Sequence, residues 1–161
     1  GAECRSGEIA EVADCSRESV RRRVPELMAF GILDSEDPDA NIPHYRAADS
    51  PVLTLIASWD GYSLGELFAY DGTQALVQHF LTGVDPEASY SLNKISERSG
   101  LNYRTVARHI DTLVEAGLVT TVEGSRGTEY QLDTDSDIYD YLVELNETIY
   151  DHHQQYQDTD E

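Results

Sequence analysis

Residues 91–132 read SLNKISERSGLNYRTVARHIDTLVEAGLVTTVEGSRGTEYQL, and the punctuation of this stretch decides the fold. Ser91 is a helix-capping residue ahead of a short run, so a helix is expected over 92–99 with Leu92, Ile95 and Ser99 inward. Gly100 suits the left-handed conformation of a tight inter-helix turn. Asn102 then caps a longer helix in which Val106, Ile110, Leu113 and Val114 form one stripe, and Gly117 ends it. Two β-rich runs, 118–123 and 128–132, flank the tip Gly124-Ser-Arg-Gly127, as in a short hairpin. Upstream, Ala75, Leu76, His79 and Phe80 share one face of a helix expected over 73–81. The order is helix, helix, turn, helix, hairpin.

That unit occurs twice. Ile9, Glu11, Val20, Arg22, Leu27 and Gly31 fall on Ile95, Glu97, Val106, Arg108, Leu113 and Gly117 at a constant offset of 86 residues. The offset persists past the hairpin, where Val52, Ile56 and Trp59 meet Ile138, Leu142 and Leu145. The expected fold is therefore mainly α with small β wings: two tandem winged helix-turn-helix domains, residues 1–70 and 71–161. In the first, Ser16 caps the longer helix, Asp14 stands where Gly100 does, and Pro25 is expected to kink or loosen the helix. Its hairpin would carry a strongly acidic tip, DSEDPD at 34–39. The first copy's opening helix would precede Gly1, so the chain extends upstream or another segment takes that place. A start at Gly1 rather than Met reads as a processed or shortened end.

Thirty-one acids against eleven bases give a net charge of −20, and Lys94 is the one lysine. The acid is spread along the chain, and 40% apolar content argues for folded domains rather than a disordered tail. Acid-rich, lysine-poor composition resembles that of salt-loving archaea. No run of 18 apolar residues and no charged-then-apolar leader occurs, so no membrane partner is expected and the location read is cytoplasmic. Cys4 and Cys15 make neither a disulfide framework nor a four-ligand metal site. Cys15 aligns with Leu101 and reads as a small buried side chain, a thiol sensor being the alternative.

The bases are placed unevenly. Arg5, Arg17, Arg21, Arg22 and Arg23 lie in or beside the first helix-turn-helix, and Lys94, Arg98, Arg104 and Arg108 in the second. Arg126 sits at the hairpin tip, and only Arg46 lies elsewhere. Positive charge reserved in this way points to phosphate, and the partner expected is double-stranded DNA. Arg104 or Arg108 is suited to guanine, Asn102 to adenine or a phosphate, and Ser91 and Tyr103 to phosphate, with Lys94 and Thr105 as further DNA-binding candidates. Arg126 suits the adjacent minor groove. In the first copy Arg17, Arg21 and Arg22 are the candidates, against which Arg22 and Arg23 could instead pair with Glu26.

No Gly-rich phosphate loop, nucleophile elbow or HExxH motif occurs, so neither catalysis nor a cofactor is expected. His152 and His153 beside Asp151 read as incidental rather than as a metal site. The final helix, beginning near Asp137, spaces Ile138, Tyr141, Leu142, Leu145 and Ile149 as a wide apolar face. That face reads either as packing onto its own domain or as the seam of a homodimer. The polar tail 154–161 is expected to fray.

The 91–132 stretch resembles the winged helix-turn-helix transcriptional regulators of archaea, broadly the MarR/ArsR/TrmB-like group and in particular haloarchaeal members. The resemblance covers residues 72–132 well and 7–46 more loosely. It implies DNA-binding regulation, usually by a homodimer with each recognition helix in a major groove. The runner-up is a tandem winged-helix protein-interaction module like the segregation-and-condensation proteins. The second copy, the acidic first wing and Pro25 depart from the one-wing-per-half-site pattern.

Overall fold

A computed structural model of the chain describes residues 3–159, with side chains described as far as Gln155. The chain forms two compact units that do not follow a single cut in the sequence. Residues up to Trp59, together with those from Glu144 onward, make the first, and Asp60–Val143 make the second. The division thus falls before residue 70, because a short helix at 64–67 buries Leu67 completely and counts with the second unit.

The first unit runs β1 (Cys4–Arg5), α1 (Ser6–Val12), α2 (Arg17–Ala29), β2 (Leu33–Asp34), β3 (His44–Ala47) and α3 (Pro51–Ser58). Its three strands are antiparallel in the order β1-β3-β2. Ser16 caps α2 by accepting from the Ser19 N–H at 3.0 Å. The helix continues through Pro25, whose missing N–H leaves the Arg21 carbonyl without its usual donor four residues on. Ala10, Val20, Val24 and Tyr45 form the buried core, with Ile9, Met28 and Leu33 packed against it. Cys15 is exposed rather than buried, because it stands in the α1–α2 turn just ahead of the cap. Cys4 is half-buried, its thiol donating to the Tyr45 carbonyl.

The second unit runs α4 (Leu64–Leu67), α5 (Asp71–Thr82), β4 (Ser89–Tyr90), α6 (Leu92–Ser99), α7 (Tyr103–Glu115), β5 (Val119–Gly124) and β6 (Gly127–Leu132). The strand order β4-β6-β5 matches that of the first sheet. Phe80, Leu76, Ile95, Val106, Ile110, Leu113 and Leu118 are all less than 2% exposed. Each such side chain contributes about 1.5–3 kcal/mol by leaving water. The helices end where the sequence says. The N–H groups of Gly117 and Leu118 donate to the carbonyls of Val114 and Leu113, a closure that needs the positive φ of 79° at Gly117. Gly31 and Ile32 do the same to Met28 and Leu27, with φ 69° at Gly31.

Element bounds recur at the sequence offset: α2 and α7 both begin and end 86 residues apart, as do α3 and the start of α8 (Asp137–Thr159). Strands β1 and β4, too short to be read from periodicity, occupy matching places, with Cys4 opposite Tyr45 and Tyr90 opposite Tyr130. Among the described residues no helix precedes β1. Residues of α8 from Glu144 onward belong to the first unit, where the His152 ring lies against Gly31 and the His153 ring meets Phe30 edge-on at 5.9 Å. The helix runs to Thr159, past the start of the polar tail at Gln154, and residues 160–161 lie outside the described residues.

The dimer seam read from the sequence needs correction. Ile138, Tyr141 and Leu142 are 3%, 6% and 4% exposed within a single chain, so they are core and cannot line a surface. Leu145 and Ile149 are half-buried. No helix among the described residues is long and apolar enough to cross a membrane.

Candidate nucleic-acid interface

The site is built on α7. Asn102 caps it, Oδ1 accepting from the Thr105 N–H at 2.9 Å. With its oxygen engaged, Asn102 has only its amide N–H groups to offer outward, which suits a phosphate better than the two-point reading of adenine. Asn102→Ala is expected to destabilise the second unit by about 1 kcal/mol in a thermal melt, whereas Asn102→Asp keeps the cap. Ser91 caps α6 in the same manner, accepting from the Lys94 N–H at 3.4 Å.

Helical spacing sorts the side chains of α7 into four groups. Val106, Ile110 and Leu113 point into the core. Arg104 and Arg108, one turn apart, are exposed opposite them. Tyr103, 48% exposed, lies on the hairpin side. It is close enough to Tyr130 of β6 that burial, Asp111 and Tyr103 together raise the Tyr130 phenol above its ordinary pKa. Thr105 turns the other way. A β-carbon on Gly72 of α5 would lie 2.9 Å from its Cγ2, so Thr105 packs toward α5 rather than facing outward.

The charge order along α7 is the reverse of what the helix alone would favour. Aligned peptide dipoles favour acids at the start and bases at the end, each worth roughly 0.3–1 kcal/mol. Here Arg104 stands in the first turn with no acid beside it, and Glu115 closes the last turn with no base. The arrangement costs helix stability and makes sense if the N-terminal end meets an external anion.

Pairing separates the bases further. Lys94 bridges Glu97 at 3.3 Å. Arg98 donates to the Gly83 carbonyl at 3.0 Å and lies over the Tyr90 ring at 5.3 Å, so it ties α6 to its surroundings. In the first unit Arg23, not Arg22, bridges Glu26 at 2.8 Å. Arg5 donates to His44 at 3.3 Å. Arg46 holds the acidic tip, reaching Asp34 at 2.8 Å and Glu36 at 3.2 Å, which raises its own pKa. Among the described residues the bases outside any ion pair or hydrogen bond are Arg17, Arg21 and Arg22 on α2, Arg104 and Arg108 on α7, and Arg126 at the β5–β6 tip. All six are exposed. Unpaired arginine in a chain of charge −20 is positive surface left open to solution.

The sequence could not separate Arg98 from Arg104, since its partner Gly83 comes from another element. Nor does it show that His79, on α5, is held below its ordinary pKa by burial and by Arg98. Among the described residues no group of three His, Cys, Asp or Glu side chains could hold a metal ion.

A family model for winged helix-turn-helix DNA-binding domains matches residues 87–120, from just before β4 through α6 and α7 into β5. No curated protein and no solved structure matches the chain.

Proposed function

We propose that the chain is a DNA-binding transcriptional regulator built from two tandem winged helix-turn-helix units, with α7 as its principal recognition helix. Arg104 and Arg108 enter the major groove from the N-terminal end of α7, and Arg126 takes the adjacent backbone or minor groove. Asn102, Ser91 and Tyr103 stand where backbone contacts fall. The carrying observation is that six exposed arginines, on two matching helices and one hairpin tip, stay unpaired among the described residues of a protein with almost three acids per base.

The two units differ in what they offer. The first presents Arg17, Arg21 and Arg22 on α2, but Arg46 is spent within its own acidic tip, leaving Asp37 and Asp39 to repel phosphate. The first unit therefore contributes its helix without its wing.

Acid-rich composition suits a salt-loaded cytoplasm, and salt shapes the mechanism. Counterion release, which dominates ordinary protein–DNA affinity, is nearly absent at molar potassium chloride. Direct hydrogen bonds and groove fit then carry the binding. The test is nuclease footprinting on genomic fragments in molar potassium chloride. A protected tract is expected, and replacing Arg17, Arg21 and Arg22 with alanine should shorten it without abolishing it. Absence of any protected tract would overturn the proposal in favour of a tandem winged-helix protein-interaction module.

A further inference from the structure

A cluster at the start of α5 assigns a role to His109. Its ring lies in the angle between α5 and α7: a β-carbon on Gly72 would fall 2.7 Å from Cδ2 and 3.0 Å from Nε2. The Tyr70 ring covers it at 5.5 Å, tilted by 39°. Nδ1 lies 3.2 Å from the hydroxyl of Thr73, a residue with no exposed surface. That contact is the Thr73 hydroxyl's one hydrogen bond among the described residues.

In a neutral ring the bond sets which nitrogen carries the proton. Were the imidazole to donate from Nδ1, the buried Thr73 O–H would have no acceptor, a cost of the size of an unmade hydrogen bond. All groups are satisfied when Thr73 donates to Nδ1 and the proton sits on Nε2. The His109 ring is partly exposed, and among the described residues Nε2 has no hydrogen-bond partner, so this N–H is an available donor. His109 follows Arg108 and flanks the outward arginine face on the side of α5, where the sugar-phosphate backbone borders the groove. Asp71 lies on the face of α5 opposite the buried stripe of Thr73, Leu76, Val77 and Phe80, away from this angle.

We propose that His109 is a phosphate contact, donating from Nε2–H to the duplex backbone, with Thr73 holding the tautomer and Gly72 leaving room for the ring. The inference rests on α7 being the recognition helix. The probes are a duplex selected from a random library and a scrambled duplex of the same composition, titrated by fluorescence anisotropy in potassium chloride. His109→Phe keeps the packing on Tyr70 and Gly72 but deletes the donor. Affinity for both duplexes is expected to fall by the same factor, about three- to tenfold. Thr73→Val should turn the single Nε2–H tautomer, read from side-chain 15N shifts, into a mixture. In the wild-type protein, adding duplex should shift the His109 Nε2 resonance, a readout independent of whether any variant folds. An unmoved resonance, an Nδ1–H tautomer, or a folded His109→Phe that binds as tightly as wild type would overturn the assignment. If Arg104→Ala with Arg108→Ala abolishes binding in parallel, the failure belongs to His109 alone. If that double variant also binds normally, the parent proposal fails with it.

Discussion

Replacing Arg104 and Arg108 together with alanine is expected to weaken duplex binding by roughly thirtyfold or more while leaving the fold intact. Two arginine contacts at about 1–3 kcal/mol each set the lower bound of that loss. Stability should hold because among the described residues neither side chain makes an ion pair or hydrogen bond, both are exposed, and alanine is the best helix former. Removing a first-turn cation even relieves the unfavourable dipole interaction of Arg104. Anisotropy titrations across a range of potassium chloride separate the two ways the arginines can act. Base reading makes the loss larger for a selected duplex than for a scrambled one, whereas phosphate contact lowers both alike and reduces the salt slope by about one per arginine. Equal affinity of the double variant and wild type for both duplexes would rule out α7 as the recognition helix.

Leu113→Ala should have the largest effect on stability. Leu113 is fully buried on the inner face of α7, and truncations of this kind cost about 2–5 kcal/mol because the cavity does not fully collapse. In a unit of this size that corresponds to a melting shift of about 10–40 °C. Its counterpart at the same offset in the first unit, Leu27, is only half-buried, so Leu27→Ala should cost less than half as much. Thermal denaturation followed by circular dichroism measures both. Equal costs at the two positions would mean that the two cores are equivalent, against the thinner first core of Ala10, Val20, Val24 and Tyr45.

Much of the second unit was legible in the sequence because its signals are local. A cap such as Ser91 or Asn102 bonds an N–H three residues on, and Gly117 closes its helix through carbonyls in the preceding turn. Such short-range bonding leaves a fixed spacing, and the spacing recurs at residues 7–33. The offset of 86 residues by itself places α1, α2 and α3. Strands β1 and β4 stayed hidden because two residues carry no period, and only their pairing with β3 and β6 defines them.

The candidate interface was legible in part. The sequence placed arginines on two helices and a hairpin tip, since residue type and helical register are one-dimensional properties. Which of them stay free is a tertiary property. Arg98 is tied by Gly83 and Tyr90, and Arg46 by Asp34 and Glu36, through contacts that no period announces. The same holds for burial: the stripe Ile138, Tyr141 and Leu142 has the spacing of an interface, yet in the folded chain it is core. His109 shows the limit most clearly. Within its own helix it is one polar residue beside an arginine, and only the approach of Gly72 and Thr73 from α5 holds its ring and places its proton. Sequence determined the local periods, the caps and the recurrence of the pattern after 86 residues, because these are properties of residue order along the chain. Tertiary structure decided which charges are neutralised, which apolar faces are covered and which donors remain, because those depend on neighbours in space.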